Sequence, residues 1–121
     1  MKKISAFILC LVLMATIAYA ESVPYSMVST VKTATALIYT GDIQFNGIII
    51  ATDGTNAVTL DVYDGTTTAG TKVIPQLVIP SSATNRSFAL SVDPGIHMYT
   101  GIYVVISVAG SGSASYTVYY K

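Results

Sequence analysis

Ala57-Val58-Thr59-Leu60-Asp61-Val62-Tyr63-Asp64, followed by Gly65, is the stretch that decides the fold. Val58, Leu60 and Val62 alternate with Thr59, Asp61 and Tyr63, a period of two that puts apolar side chains on one face of a β-strand. Asp64-Gly65 ends the run with turn chemistry, and Asp53-Gly54 precedes it in the same way. The pattern continues outward on both sides. Ser87 to Val92 sets Phe88 and Leu90 against Ala89 and Ser91, and Ser115 to Tyr120 sets Tyr116, Val118 and Tyr120 against Thr117 and Tyr119. Phe88 and Leu90 are expected to face inward with Val58, Leu60 and Val62.

Two runs are apolar on both faces, Gly47-Ile48-Ile49-Ile50-Ala51 and Gly101-Ile102-Tyr103-Val104-Val105-Ile106. They read as central strands, or as strands whose outer face meets another subunit. Thr40-Gly41-Asp42, Asp93-Pro94-Gly95 and Gly110-Ser111-Gly112 supply further turns, and Pro75 and Pro80 bracket a short or interrupted edge strand. Strands are predicted over 36–40, 44–52, 57–64, 72–79, 86–92, 102–109 and 115–120. No window carries a sustained helical period. The expected architecture is all-β: a single β-sandwich of Greek-key or jelly-roll type, with seven to eight short antiparallel strands over residues 36–121. Residues 21–35 form an N-terminal arm or an extra strand.

Residues 1–20 have a different character. Lys2 and Lys3 precede an almost wholly apolar run from Ile4 to Ala18, and Ala18-Tyr19-Ala20 provides the small residues of a cleavage site. A retained anchor is the alternative. Ile4 to Ala20 would make a helix of about 26 Å, short of the roughly 30 Å hydrocarbon core, and no basic cluster follows it. The pattern therefore predicts a signal peptide and a secreted, extracellular or cell-surface protein. Cleavage after Ala20 removes Cys10, the only cysteine among 121 residues. No internal disulfide framework is then available.

Charge excludes one class of partner. Only 10% of the chain is charged against 52% hydrophobic, and the formal net charge is zero. Without residues 1–20, Lys32, Lys72, Arg86 and Lys121 face six carboxylates, Glu21, Asp42, Asp53, Asp61, Asp64 and Asp93. A slightly acidic surface predicts neither nucleic-acid binding nor membrane binding once the leader is gone.

Little points to catalysis. His97 is the only histidine, it follows Pro94-Gly95, and it reads as a surface residue. No Gly-x-Ser-x-Gly elbow or phosphate-binding glycine loop occurs. No cofactor is expected: Asp53, Asn56, Asp61 and Asp64 offer oxygen ligands that calcium could use, but tight-turn chemistry already explains Asp53-Gly54 and Asn56. Tyrosine is enriched towards the end of the chain. Tyr99, Tyr103, Tyr116, Tyr119 and Tyr120 are candidates for a ligand platform or a subunit interface, with a cross-strand ladder as the structural alternative.

Three stretches together resemble a family. Gly47-Ile48-Ile49-Ile50-Ala51-Thr52-Asp53-Gly54-Thr55-Asn56, Val62-Tyr63-Asp64-Gly65, and Gly101-Ile102-Tyr103-Val104 with Tyr119-Tyr120 resemble small β-rich proteins of tailed-phage and prophage genomes. The resemblance spans residues 47–121 and implies a virion-associated structural role. The signal peptide departs from that pattern and shifts the same module towards an extracellular fibre, appendage or coat. The expected function is a secreted, non-enzymatic subunit whose partner is itself. The alternative is a small secreted sandwich that recognises glycan or a cell surface.

Export is directly testable. The exported protein should have the mass of a chain beginning at Glu21. A full-length species in the membrane fraction would restore the anchor.

Overall fold

A computed structural model describes residues 27–121. The signal peptide expected over 1–20 and the first part of the arm, 21–26, lie outside the described residues. The described residues form an all-β sandwich of nine strands: β1 (Met27–Val28), β2 (Ala36–Thr40), β3 (Ile43–Thr52), β4 (Val58–Asp64), β5 (Thr71–Lys72), β6 (Leu77–Ile79), β7 (Ser87–Met98), β8 (Gly101–Val108) and β9 (Ala114–Tyr120). One sheet has the order β1-β9-β3-β7. The other has the order β2-β8-β4-β5, with β6 also on β4. Every pairing is antiparallel. The pairs are nested, with β1 on β9, β2 on β8, β3 on β7, and β4 on β5 and β6.

Alternation places the core. Val58, Leu60 and Val62 are buried, as are Ile102 and Val104 beside them in the same sheet. Phe45, Ile48, Ile50, Tyr116 and Val118 of the other sheet meet them in one apolar cluster. The doubly apolar run of β3 resolves into buried Ile48 and Ile50 with Ile49 exposed between them. Burial of the branched aliphatic side chains stabilises the fold by about 1.5–3 kcal/mol each.

Several expectations are corrected. Phe88 shares the inner face of buried Ile50, opposite which it lies, yet 38% of it is exposed. The face is right and the burial is not, because β7 is the outermost strand and, among the described residues, nothing continues the sheet beyond it. Leu90 and Val92 on the same strand do pack against the core. Asp93-Pro94-Gly95, expected as a turn, lies inside β7. Phe45 pairs with Ile96 and Gly47 with Ser91, so Asn46 alone opposes four residues of β7. This bulge shifts the inward parity of β3 from Phe45 to Ile48. Gly47 is required there, since a Cβ would collide with the Leu90 carbonyl oxygen. The 72–79 segment is interrupted as Pro75 suggested, into β5 and β6.

The arm pairs within its own chain. Met27 and Val28 align with Tyr120 and Tyr119. The Ser29 amide donates to the Val118 carbonyl at 2.9 Å, and Lys32 and Tyr116 exchange both backbone hydrogen bonds. The final strand pair, which carries neither charge nor proline, is therefore not an open edge. β9 lies between β1 and β3, and β8 between β2 and β4.

The register is tested by two substitutions. Leu60→Ala, at a site 1% exposed, should cost about 2–5 kcal/mol in denaturant unfolding. Thr59→Ala, on the outer face, should cost well under half of that; equal losses would refute the assigned faces.

Candidate functional site

The outer surface of the β9-β3-β7 region follows from the same alternation. Register places Ser91, Gly47 and Tyr119 in one row, Ala89, Ile49 and Thr117 in the next, and Ser87, Ala51 and Ser115 in the third. None of the nine residues carries a charge. Ile49, at the centre, is 41% exposed.

The rows end at the bulge, where β3 and β7 part around a groove of about 570 Å³. Tyr119 and Ile49 line it together with Asn46, Ser91, Asp93 and Lys121. The far side of the bulge is held by Gln44, whose Nε2 donates to the Pro94 carbonyl at 2.6 Å. Gly95 sits there at φ 103°, and a Cβ would stand 2.7 Å from Gln44 Cγ. Asn46 Oδ1 is buried without a hydrogen-bond partner among the described residues.

β7 also has a free edge. It pairs with β3 on one side and, among the described residues, with no strand on the other. From Ser87 to Val92 that edge has no charge and no proline, the two devices that usually blunt one.

The five candidate tyrosines are dispersed rather than assembled. Tyr116 is a core residue, 1% exposed, and its hydroxyl donates to the Ala34 carbonyl at 3.0 Å. Burial pushes its phenol up to about 12. Tyr120 is half-buried, with its ring centroid 5.7 Å from that of Tyr39. Tyr119 lines the groove, and Tyr103 lies on the other sheet opposite Tyr63. Tyr99 is 72% exposed beyond the end of β7, edge-on to His97. Alternation along β9 and the two-sheet topology send these rings to different surfaces, so no single platform forms.

The carboxylates among the four calcium candidates already have partners. Asp53 accepts from the Thr55 amide at 2.9 Å and from the Ser113 amide at 2.6 Å. Those amides, Thr55 first, hold its carboxyl below the ordinary value. Asn56 packs under the Gly110–Gly112 tip. Asp61 pairs with Lys72 at 2.9 Å and accepts from Gln76 at 3.1 Å. Asp64 accepts from the Tyr99, Thr100 and Gly101 amides and so clamps the β7–β8 turn. Burial opposes ionisation of Asp64, but the three amides outweigh it and hold the carboxyl low. Among the described residues no three His, Cys, Asp or Glu side chains converge on a metal position. His97 is half-exposed, with Nε2 2.6 Å from Asp42 Oδ1, itself 70% exposed.

Sequence reasoning missed Asn46, Asp93 and Lys121 of the groove. The available signal was the doubly apolar β3, whose outer Ile49 needed an explanation. Reading Asp93-Pro94-Gly95 as a turn hid the continuation of β7 that makes the groove.

The Asp53 and Asp64 clamps carry a pH dependence. Both carboxyls titrate below 3.8 in the fold, so their stabilisation is full above the unfolded value and is lost as pH falls through the folded one. Asp64→Asn should lower stability at pH 7 by about 1–2 kcal/mol and flatten the loss of stability as pH falls below the ordinary carboxylate range. An unchanged acid limb in thermal unfolding would remove the clamp from this account.

Compared with family models, characterised proteins and solved structures, the chain finds no match, and the phage-type resemblance rests on its residues alone.

Proposed function

We propose that this protein is an exported, non-enzymatic structural subunit that associates with copies of itself in an extracellular fibre, appendage or coat. The observation that carries the reading is the uncharged surface of β9, β3 and β7, three rows deep, which runs out to an edge with neither charge nor proline from Ser87 to Val92. A protein that stays monomeric protects such a surface with charge, proline or a covering element. The other long strands are covered within the chain, and β7 is left open. The nested strand pairing is the order of a jelly roll and supports that form of the sandwich. Fold alone selects no function, so the weight rests on the surface.

The groove favours a second reading. Tyr119 offers an aromatic face, with Asp93, Asn46, Ser91 and Lys121 around it as hydrogen-bonding groups, which suits a glycan unit.

Sedimentation velocity and negative-stain microscopy of the exported chain separate the two. Oligomers or filaments at micromolar concentration are expected. A strict monomer that binds a glycan array, and loses that binding with Tyr119→Ala, would replace the first reading with the second.

A further inference from the structure

We infer that two copies of this chain join through the free edges of β7, antiparallel about a two-fold axis at Ala89, to make one continuous eight-stranded sheet. The inference rests on the self-association reading and names its contact.

Backbone direction comes first. The Thr52 amide donates to the Arg86 carbonyl at 2.7 Å, so Arg86, Phe88 and Leu90 turn their backbone groups towards β3. Ser87, Ala89 and Ser91 consequently turn theirs away from the sheet, towards solvent. These three residues are spaced to pair with the same three of a second copy. Ala89 meets Ala89 on the axis, and Ser87 meets Ser91 on either side, giving roughly six new backbone hydrogen bonds.

Side chains agree with that register. A two-fold axis perpendicular to the sheet keeps the outer face of one copy continuous with the outer face of the other. On the inner face it sets Phe88 of each copy opposite Leu90 of the second, and so covers a large core-facing side chain that the monomer leaves 38% exposed. On the outer face only Ser and Ala meet, and nothing bulky intervenes.

Charge selects the orientation. Exposed Arg86 stands before one end of the uncharged edge and exposed Asp93 beyond the other, and neither joins an ion pair among the described residues. Antiparallel pairing brings each Arg86 to the Asp93 end of the second copy. Parallel pairing would place like charges together. The edge is thus complementary to itself in one orientation, which is the requirement of an isologous contact.

The test is sedimentation equilibrium on the exported chain, wild type and three variants. Ala89→Pro removes the outward amide without breaking a β3 hydrogen bond, and Ala89→Lys keeps the amide but sets a charge on the axis. Both changes face solvent in the monomer, and circular dichroism checks that each folds. Val78→Lys, 59% exposed on the opposite sheet, is the control. The wild type and Val78→Lys should associate alike, and both Ala89 variants should weaken association at least tenfold. Assembly indifferent to both Ala89 variants overturns the β7 contact and leaves self-association standing. A monomeric wild type overturns both.

Discussion

The apolar layer between the sheets carries the stability of this fold, because one cysteine allows no disulfide within the chain to share the task. Phe45, Ile48, Ile50 and Val118 from one sheet close on Leu60, Val62, Ile102 and Val104 from the other. These residues come from strands far apart in the chain, so the layer forms only when the nested pairs are in register. A slip of one residue would turn each apolar set outwards. Turns that set the register therefore matter as much as the core itself. Asp64 is the clearest case: its carboxylate binds three amides of the β7–β8 turn and ties β4 to the start of β8.

Edges distinguish the two ends of the β1-β9-β3-β7 sheet. At one end the arm supplies a two-residue strand whose pairing Ser29 and Lys32 extend, and β9 is satisfied. At the other end β7 runs for twelve residues with one side unpaired among the described residues. The bulge at Asn46 accommodates Val92 to Gly95 and opens the groove while Ile96 and Met98 return to the core side. One local irregularity thus creates a concave feature that brings Tyr119 near Asp93 and Lys121.

Legibility varied with the range of the interaction involved. The faces of β4 and β9 were plain, since period-two alternation is local and a single buried face enforces it. Phe88 shows the limit: alternation assigns a face, but only the number of neighbouring strands decides how deeply that face is buried. Asp93-Pro94-Gly95 shows another. Turn-forming residues bend a chain, and whether the bend becomes a hairpin or a bulge depends on the partner strand opposite. The clustered tyrosines were close in sequence and separate in space, because neighbours on a strand point to opposite faces and β8 and β9 belong to different sheets.

By itself the sequence determined the all-β class, the positions of the main strands and the inward set of β4, all consequences of local periodicity and turn chemistry. It also contained the doubly apolar β3, whose outward Ile49 is 41% exposed. Tertiary structure decided that the arm closes its own sheet, that the candidate calcium carboxylates are taken up by amides and Lys72, and that β7 is the longest strand with an unpaired edge among the described residues. Those outcomes depend on long-range antiparallel pairing. A strand's hydrogen-bonding edges are the same backbone groups whatever its side chains, so which edge remains free is set by the arrangement of all nine strands.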